Sequence, residues 1–145
     1  PLQMRNLLAA ILFISIASVS AGDLRLEDES FSTIAYIRED GRIEDASFCT
    51  LGYIRDESRI EDSSFSTLGY IRDGRIEGPG FNTMYYLEDD GRLTDPSFSL
   101  VLTIKSDGTV EDRSFGTMLY TDGSDENTMV RIAAYLIFFS DMIPD

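Results

Sequence analysis

The sequence contains no histidine and no tryptophan, and Cys49 is its single cysteine. Without histidine, the chain lacks the side chain that most often exchanges protons near neutral pH, and zinc, copper and haem sites lose their commonest ligand. A single cysteine cannot form an internal disulfide or a CxxC pair. No GxGxxG or P-loop motif is present. We therefore expect no enzyme activity and no cofactor.

Basic residues are also scarce, with 12 against 26 acidic residues and a formal net charge of −14. The negative electrostatic field of this charge repels nucleic acid and anionic lipid head groups, so neither is an expected partner. It favours solubility, cations and basic partners. The 43% of hydrophobic residues is ordinary for a globular protein, and 145 residues suit one domain.

The N-terminal segment PLQMRNLLAAILFISIASVSAG has the pattern of a secretory signal peptide. Arg5 follows the first methionine, residues 7–16 are an apolar core, and Val19 and Ala21 stand where signal peptidase requires small residues. We interpret residues 1–21 as a short remnant plus this signal, with cleavage after Ala21 and an extracytoplasmic (periplasmic or secreted) product. A membrane anchor is the alternative, but the apolar run is shorter than the roughly 20 residues that span a bilayer. We expect no stable membrane span in the mature form.

The C-terminal segment, residues 124–145, is predicted to be a short apolar helix packed on the preceding domain. Ser124 or Asp125 can cap it, acidic residues fill its first turn, and Pro144 stops it. Residues 129–139 are apolar nearly all round, and such a helix must be buried or inserted. Eleven residues is too short to span a bilayer. A membrane or partner contact is the alternative.

Residues 22–123 repeat one sequence motif with a period of 17 residues, which is shortened once to 16. Each unit opens with a phenylalanine: Phe31, Phe48, Phe65, Phe81, Phe98 and, in a final half unit, Phe115. A front run such as FSTIAYI and a back run such as RIED are joined by an Asp-Gly turn, as in REDG. Sequences such as DAS form a second turn between units. The chain therefore reads as a continuous antiparallel meander.

Half units at the two ends of the repeat decide between an open and a closed arrangement. A back run at 24–30 precedes the first full unit, and a front run at 115–121 follows the last. If they pair, no edge strand remains free. We predict a mainly β fold: a closed, pseudo-symmetric, flower-like ring of antiparallel hairpins with a short C-terminal helix. The short unit has lost a residue inside its turn, where the loss does not invert the side chains that follow.

Strict alternation predicts which side chains share a face of the sheet. The fourth and sixth positions of the front run, Ile34 and Tyr36 in the first unit, share one face. The first, third, fifth and seventh positions share the other, so Phe31 is predicted to pack beside Ile37. The fifth position is small only in the early units, at Ala35, Gly52 and Gly69. We expect the terminal helix, or else a ligand, to lie over these three residues.

These repeats resemble a known family. Lines such as TLGYIRDESRIEDSS and TLGYIRDGRIE, between a secretion signal and an aromatic-rich apolar tail, are similar to the secreted "5-fold beta-flower" proteins of Bacteroidetes. The resemblance covers residues 24–121 and the tail. It implies β-hairpins radiating about a central axis in an extracytoplasmic protein of unknown function, and it supplies no catalytic residues.

Three sets of side chains are candidates for chemistry. Paired carboxylates such as Glu44-Asp45 recur around the body, so we interpret them as turn formers and ion-pair partners rather than as a glycosidase pair. Calcium is possible at clustered acidic turns, although Asp-Gly hairpins explain them without metal. The calcium candidates are Asp89, Asp90, Asp122 and Asp125. Recurrent tyrosines could stack on ligands or pack between hairpins; they are Tyr36, Tyr53, Tyr70 and Tyr86.

Two functions in different classes remain open. One is a non-enzymatic structural or interaction module that meets a protein partner. The other is a binding protein for glycans or another small ligand, with pockets repeated around the ring. Cys49 occupies a position held in other units by small, mostly polar residues, so we expect a surface or partly buried side chain rather than a reactive thiol.

Overall fold

The computed structural model describes residues 22–56, 58–123 and 127–143. The predicted signal segment, the proposed helix cap at Ser124 or Asp125, and Pro144 lie outside these residues. Within them the fold is a closed antiparallel barrel of twelve strands followed by one helix. The closed mainly-β ring predicted from the repeat is therefore confirmed.

The strands follow the meander in chain order. They are β1 (Leu24–Asp28), β2 (Thr33–Ile37), β3 (Arg42–Asp45), β4 (Thr50–Arg55), β5 (Arg59–Asp62), β6 (Thr67–Arg72), β7 (Arg75–Glu77), β8 (Thr83–Leu87), β9 (Arg92–Thr94), β10 (Leu100–Ile104), β11 (Val110–Asp112) and β12 (Thr117–Asp122). Each strand pairs with its sequence neighbours, and β1 also pairs with β12, with Leu26 opposite Thr121. The two half units thus complete the ring, and every described strand is paired on both sides.

A front-run strand and the back-run strand paired after it form one hairpin. Five hairpins are continuous in the chain, and β12 with β1 makes a sixth at the seam of the described ring. We call β2–β3, β4–β5 and β6–β7 the strict hairpins, because their sequences are nearly identical. We call β8–β9, β10–β11 and β12–β1 the variant hairpins.

The turn inside each hairpin explains how one unit tolerates its missing residue. In the first hairpin, Gly41 has φ of 92° and its N–H donates to the Arg38 carbonyl at 2.9 Å. In the short unit, Asp73 and Gly74 have φ of 50° and 74°, which fits a two-residue type I′ turn. The ladder around it is intact, with Tyr70 opposite Glu77. The deletion changed the turn and left the register unchanged, as predicted.

A β-bulge recurs at the fourth position of every front-run strand among the described hairpins. In β2, Ala35 lies opposite Leu26 and Thr33 opposite Glu27, so Ile34 has no partner across the β1–β2 ladder. The same skip occurs in each of the other front-run strands, at Leu51, Leu68, Met84, Val101 and Met118. A bulge interrupts alternation. The prediction that Ile34 shares a face with Tyr36 is therefore wrong, because Ile34 packs against the core cluster with Ala35.

The helix α1 (Thr128–Phe138) occupies the lumen of the barrel. Six consecutive residues, 131–136, are buried, which covers every face of the helix. The barrel side supplies apolar side chains from the back runs, all fully buried: Leu26, Ile43, Ile60, Ile76, Leu93 and Val110. The predicted helix packs inside the ring and not upon it.

The small fifth positions accommodate the aromatic end of α1. A Cβ atom added to Gly52 would lie 2.5 Å from Cε1 and Cζ of Phe139, and one added to Gly69 would lie 2.7 Å from the same atoms of Phe138. The expectation that the terminal helix lies over the early small residues is thus confirmed at both glycines.

The start of α1 differs from the prediction. Its first turn contains no acidic residue, and Asn127 at the N-cap makes no side-chain capping hydrogen bond. Arg131, the charged residue of the helix, is 8% exposed and donates hydrogen bonds to the carbonyls of Ile37 at 2.9 Å and Arg38 at 3.0 Å. Enclosure by the barrel, rather than capping, stabilises this helix.

Candidate functional site

The turns between hairpins, which we call the corner turns, hold each phenylalanine in a strained backbone conformation. The six phenylalanines that open the units have φ between 64° and 69°. In the corner turn after β3, Asp45 Oδ1 accepts hydrogen bonds from the N–H groups of Ser47 at 2.8 Å and Cys49 at 3.0 Å. Phe48 N–H donates to the Asp45 carbonyl at 3.0 Å. Glycine or asparagine normally takes such a position, because a bulky residue there costs about 1–2 kcal/mol.

These phenylalanines lie outside the barrel. They are 57–77% exposed, so the prediction that Phe31 packs with Ile37 is wrong. The corner turn directs five of the six rings back along the outer wall onto the tyrosine of the preceding hairpin. The stacked pairs, with ring centroids 4.6–5.2 Å apart, are Tyr36–Phe48, Tyr53–Phe65, Tyr70–Phe81, Tyr86–Phe98 and Tyr120–Phe31.

The strict hairpins add an arginine to each stack. The guanidinium carbon of Arg55 lies 4.2 Å from the Tyr53 ring centroid and 5.7 Å from that of Phe65. Arg38 and Arg72 are placed in the same way. A guanidinium on the tyrosine face opposite the phenylalanine would lie much farther from the phenylalanine ring. Each arginine therefore lies beside its stack, and the outward face of the phenylalanine stays open to solvent.

A buried glutamate beneath the rings binds two arginines in each strict hairpin. Glu61 is 6% exposed, and its two carboxylate oxygens lie 2.8 Å from Arg55 Nε and 3.1 Å from Arg59 Nη2. Glu44 and Glu77 repeat the arrangement. In the first hairpin, Arg42 Nε lies 3.1 Å from Glu44 Oε2 but lacks the alignment of a hydrogen bond. Partial burial acts to lower the pKa of Arg38, but hydrogen bonds to Glu44 and Asp23 outweigh it and raise that pKa.

The carboxylate pairs along the back runs therefore divide their roles. The glutamate binds arginines on the wall, and the aspartate closes the corner turn, as the sequence interpretation required. The corner aspartates with these bonds are Asp28, Asp45, Asp62, Asp95 and Asp112. Cys49 lies in such a turn and is exposed and free.

The variant hairpins keep the phenylalanine and change its neighbours. In β10–β11, Thr103 replaces the tyrosine, so Phe115 has no stacked ring among the described residues and is 77% exposed. Lys105 forms an ion pair with Glu111, and this hydrogen bond raises the lysine pKa. At the seam, Asp122 holds the arginine position and binds Arg25, 2.9 Å away.

The predicted tyrosines are brought into one belt around the outer wall. Tyr36, Tyr53, Tyr70 and Tyr86 are partly buried, and a phenylalanine covers one face of each ring. The open aromatic surfaces belong instead to the phenylalanines, which sequence reasoning assigned to packing. A usable signal was their place directly after a short turn sequence, which is D-x-S for all of them except Phe81, where it is Gly-Pro-Gly. A residue with positive φ is common at such a place in hairpin loops. We call these phenylalanines, with their tyrosines and arginines, the aromatic belt.

The calcium candidates are not assembled into a cluster in the described part of the chain. There, no group of three or more histidine, cysteine or acidic residues is placed to hold a metal. Asp90 Oδ2 lies 2.9 Å from Arg92 Nε, and hydrogen bonds from the Arg92 backbone and side chain lower the pKa of Asp90. Asp122 binds Arg25, and Asp89 is exposed. Asp125 lies outside the described residues.

A protein-family model described as "5-fold beta-flower protein" matches residues 23–139. The chain belongs to this family. The match includes all of the barrel strands and α1 of this beta-flower chain, whose described ring has six hairpins although the family name specifies five. Searches of curated proteins and of solved structures found no match. Within the described residues, no helix has the length and apolar character needed to cross a membrane.

Proposed function

We propose that this beta-flower chain is a non-enzymatic interaction module that acts outside the cytoplasm and meets a protein partner through its aromatic belt. One observation carries the proposal. Phe115 keeps φ of 66° and 77% exposure although Thr103 offers it no ring to stack on. A strained, exposed aromatic residue that gains no stabilising stack within the chain is better explained by a role at the surface, because strained residues concentrate at functional sites.

The energetics of the stacked phenylalanine–tyrosine pairs support the same conclusion. An aromatic stack contributes about 0.5–1.5 kcal/mol, which only offsets the cost of about 1–2 kcal/mol for a bulky residue with positive φ. The phenylalanines therefore add little net stability. Phenylalanine, tyrosine and arginine are also the residue types enriched in protein interfaces, and tyrosine and arginine dominate binding hot spots.

The proposal can be tested by site-specific cross-linking in the cells from which the chain comes. Benzoylphenylalanine replaces Phe65 in the belt, or the exposed Ser106 at the opposite end of the barrel as the matched control. A discrete protein adduct formed from position 65 and not from position 106 supports the module. Equal adducts from both positions, or none from position 65, contradict it. For the location, N-terminal sequencing of the mature chain should begin at Gly22, and a retained Met4 would contradict cleavage of the predicted signal.

Glycan binding is the second candidate, favoured by the flat outward faces of the phenylalanines. The tyrosines would then support the stacking surface rather than provide it. A glycan array should show binding with a stoichiometry above one that is lost when Tyr53 and Tyr70, or Phe65 and Phe81, are changed together. Silence across the array with a protein adduct at position 65 excludes it.

A further inference from the structure

The fourth hairpin, β8–β9, keeps the aromatic stack but lacks its cation. Tyr86 and Phe98 are 5.1 Å apart at 17°, nearly the same geometry as Tyr53 and Phe65 at 5.2 Å and 16°. The arginine that lies beside the strict stacks is replaced by Glu88, which directly follows β8 as Arg38 directly follows β2. No arginine or lysine lies over this pair among the described residues.

The polar groups around this stack are also left without partners. Thr94 takes the place of the buried glutamate, directly across from Tyr86, and its side chain shares that face. It is 4% exposed, and its Oγ1 has no hydrogen-bond partner in the structure as described. Arg92 binds Asp90 instead, 2.9 Å away, so Glu88 has no ion pair with any described residue. At the seam, by contrast, the carboxylate in this position is paired with Arg25.

The chain itself shows what fits such a stack. In the strict hairpins a guanidinium lies 4.2–4.7 Å from the tyrosine centroid and is bound by a carboxylate. We propose that the fourth hairpin binds a guanidinium from outside, namely an arginine side chain of a polypeptide partner. Glu88 supplies the carboxylate and the Tyr86–Phe98 stack supplies the aromatic surface. Thr94 Oγ1 is covered from solvent in the unbound chain and becomes an acceptor for a guanidinium N–H when the groups above it shift on binding.

Charge and shape both favour arginine. The net charge of −14 attracts cationic segments. A guanidinium is planar, stacks on aromatic rings and presents several donors in a fixed plane, whereas a lysine ammonium is a hydrated point charge. The inference rests on the proposed function, since it names the chemistry of a partner at one hairpin of the belt, but its test requires only the groups of this fourth hairpin.

The test is a titration of the full ¹⁵N-labelled chain with the peptide acetyl-Gly-Arg-Gly-amide, followed by NMR. In the matched probe, arginine is replaced by citrulline, which has nearly the same shape without the charge. We expect saturating shifts at the amides of Glu88 and Phe98, with affinity for the arginine peptide about three- to tenfold above that for the citrulline peptide. The strict hairpins, which hold their own arginines, should not shift. Equal affinity for both peptides, or shifts spread over all acidic turns, would overturn the proposal.

Two charge-matched variants locate the site. Glu88→Arg supplies the missing cation internally and removes the carboxylate, so it should lower arginine-peptide affinity about tenfold or more. Glu29→Arg makes the same charge change at an exposed corner turn and should leave affinity within about twofold, because exposed charges are screened. Equal losses of peptide affinity in Glu88→Arg and Glu29→Arg would show a non-specific electrostatic effect and would contradict the assignment. Glu88→Gln removes the charge with little change of shape, and unchanged affinity in this variant would also contradict it.

Discussion

The outer wall of the strict hairpins repeats the same five side chains, whereas the variant hairpins change each of these positions except the phenylalanine at least once. The lumen behaves differently. Ile43, Ile60 and Ile76 become Leu93, Val110 and Leu26, all fully buried and all of similar size. These back-run side chains fill similar space in every hairpin, so their changes conserve volume, whereas the fifth position of the front run varies from Gly69 to Tyr85 with the part of α1 that it meets. The wall faces water and can exchange one polar arrangement for another.

The first prediction concerns the lumen, where both kinds of hairpin should respond alike. Ile60→Ala in a strict hairpin and Leu93→Ala in a variant one should each lower the free energy of unfolding by about 2–5 kcal/mol, because both side chains are fully buried. Chemical denaturation measures the effect. A large loss in one hairpin type and almost none in the other would show that the lumen is not a single core.

The second prediction concerns the small residues that exist only in the strict hairpins. Gly52→Ala should cost about 1–3 kcal/mol, since the new methyl group overlaps Phe139 and the Glu61 carbonyl. In a Phe139→Leu background the same change should cost less, because the leucine leaves more room. An unchanged penalty would assign the whole effect to the backbone contact.

The third prediction compares the buried polar residue of a strict hairpin, Glu61, with its counterpart in a variant hairpin, Thr94. Glu61→Gln should destabilise the chain by roughly 1–2 kcal/mol, because Arg55 and Arg59 are half exposed and water can replace part of the lost interaction. Thr94→Val should be neutral or stabilising by up to about 1 kcal/mol, since it removes a buried hydroxyl without a partner. Thermal or urea unfolding of the two variants would contradict the comparison if valine at position 94 were the more damaging change.

The fourth and smallest effect concerns the belt. Phe65→Gly should change stability by less than about 1 kcal/mol, because relief of the positive φ offsets the lost stack. Phe65→Ala keeps the strain and loses the ring, so it should be the less stable of the two. Denaturation curves in which alanine is more stable than glycine would show that the turn is not strained.

The period, the turns and the closure could all be predicted, because each rests on a local residue pattern. Asp40-Gly41 marks a tight turn, and the two half units supply complementary runs. Two features could not. The bulge at Ile34 depends on how the hydrogen-bond ladder is shared between three strands, and TIAYI reads as simple alternation without that knowledge. Phe48 looks like a core residue until its backbone is known to have φ of 67°.

The aromatic belt was therefore found only in part. Tyr36 and its equivalents were identified from their recurrence, but the site depends on which ring lies on top, and that follows from the corner turn. The unpaired Glu88 likewise becomes informative only when Arg92 is seen to bind Asp90.

The helix within the barrel has a consequence for how the chain matures. The segment that fills the lumen follows all twelve described strands in the chain, and β12 pairs with β1 although eleven strands of sequence separate their starts. The ring cannot close before β12 is synthesised, the lumen cannot fill before α1 is synthesised, and such long-range pairing forms slowly. We expect the nascent barrel to stay open until these elements have emerged, and an open polypeptide is the form that can be threaded through a narrow channel.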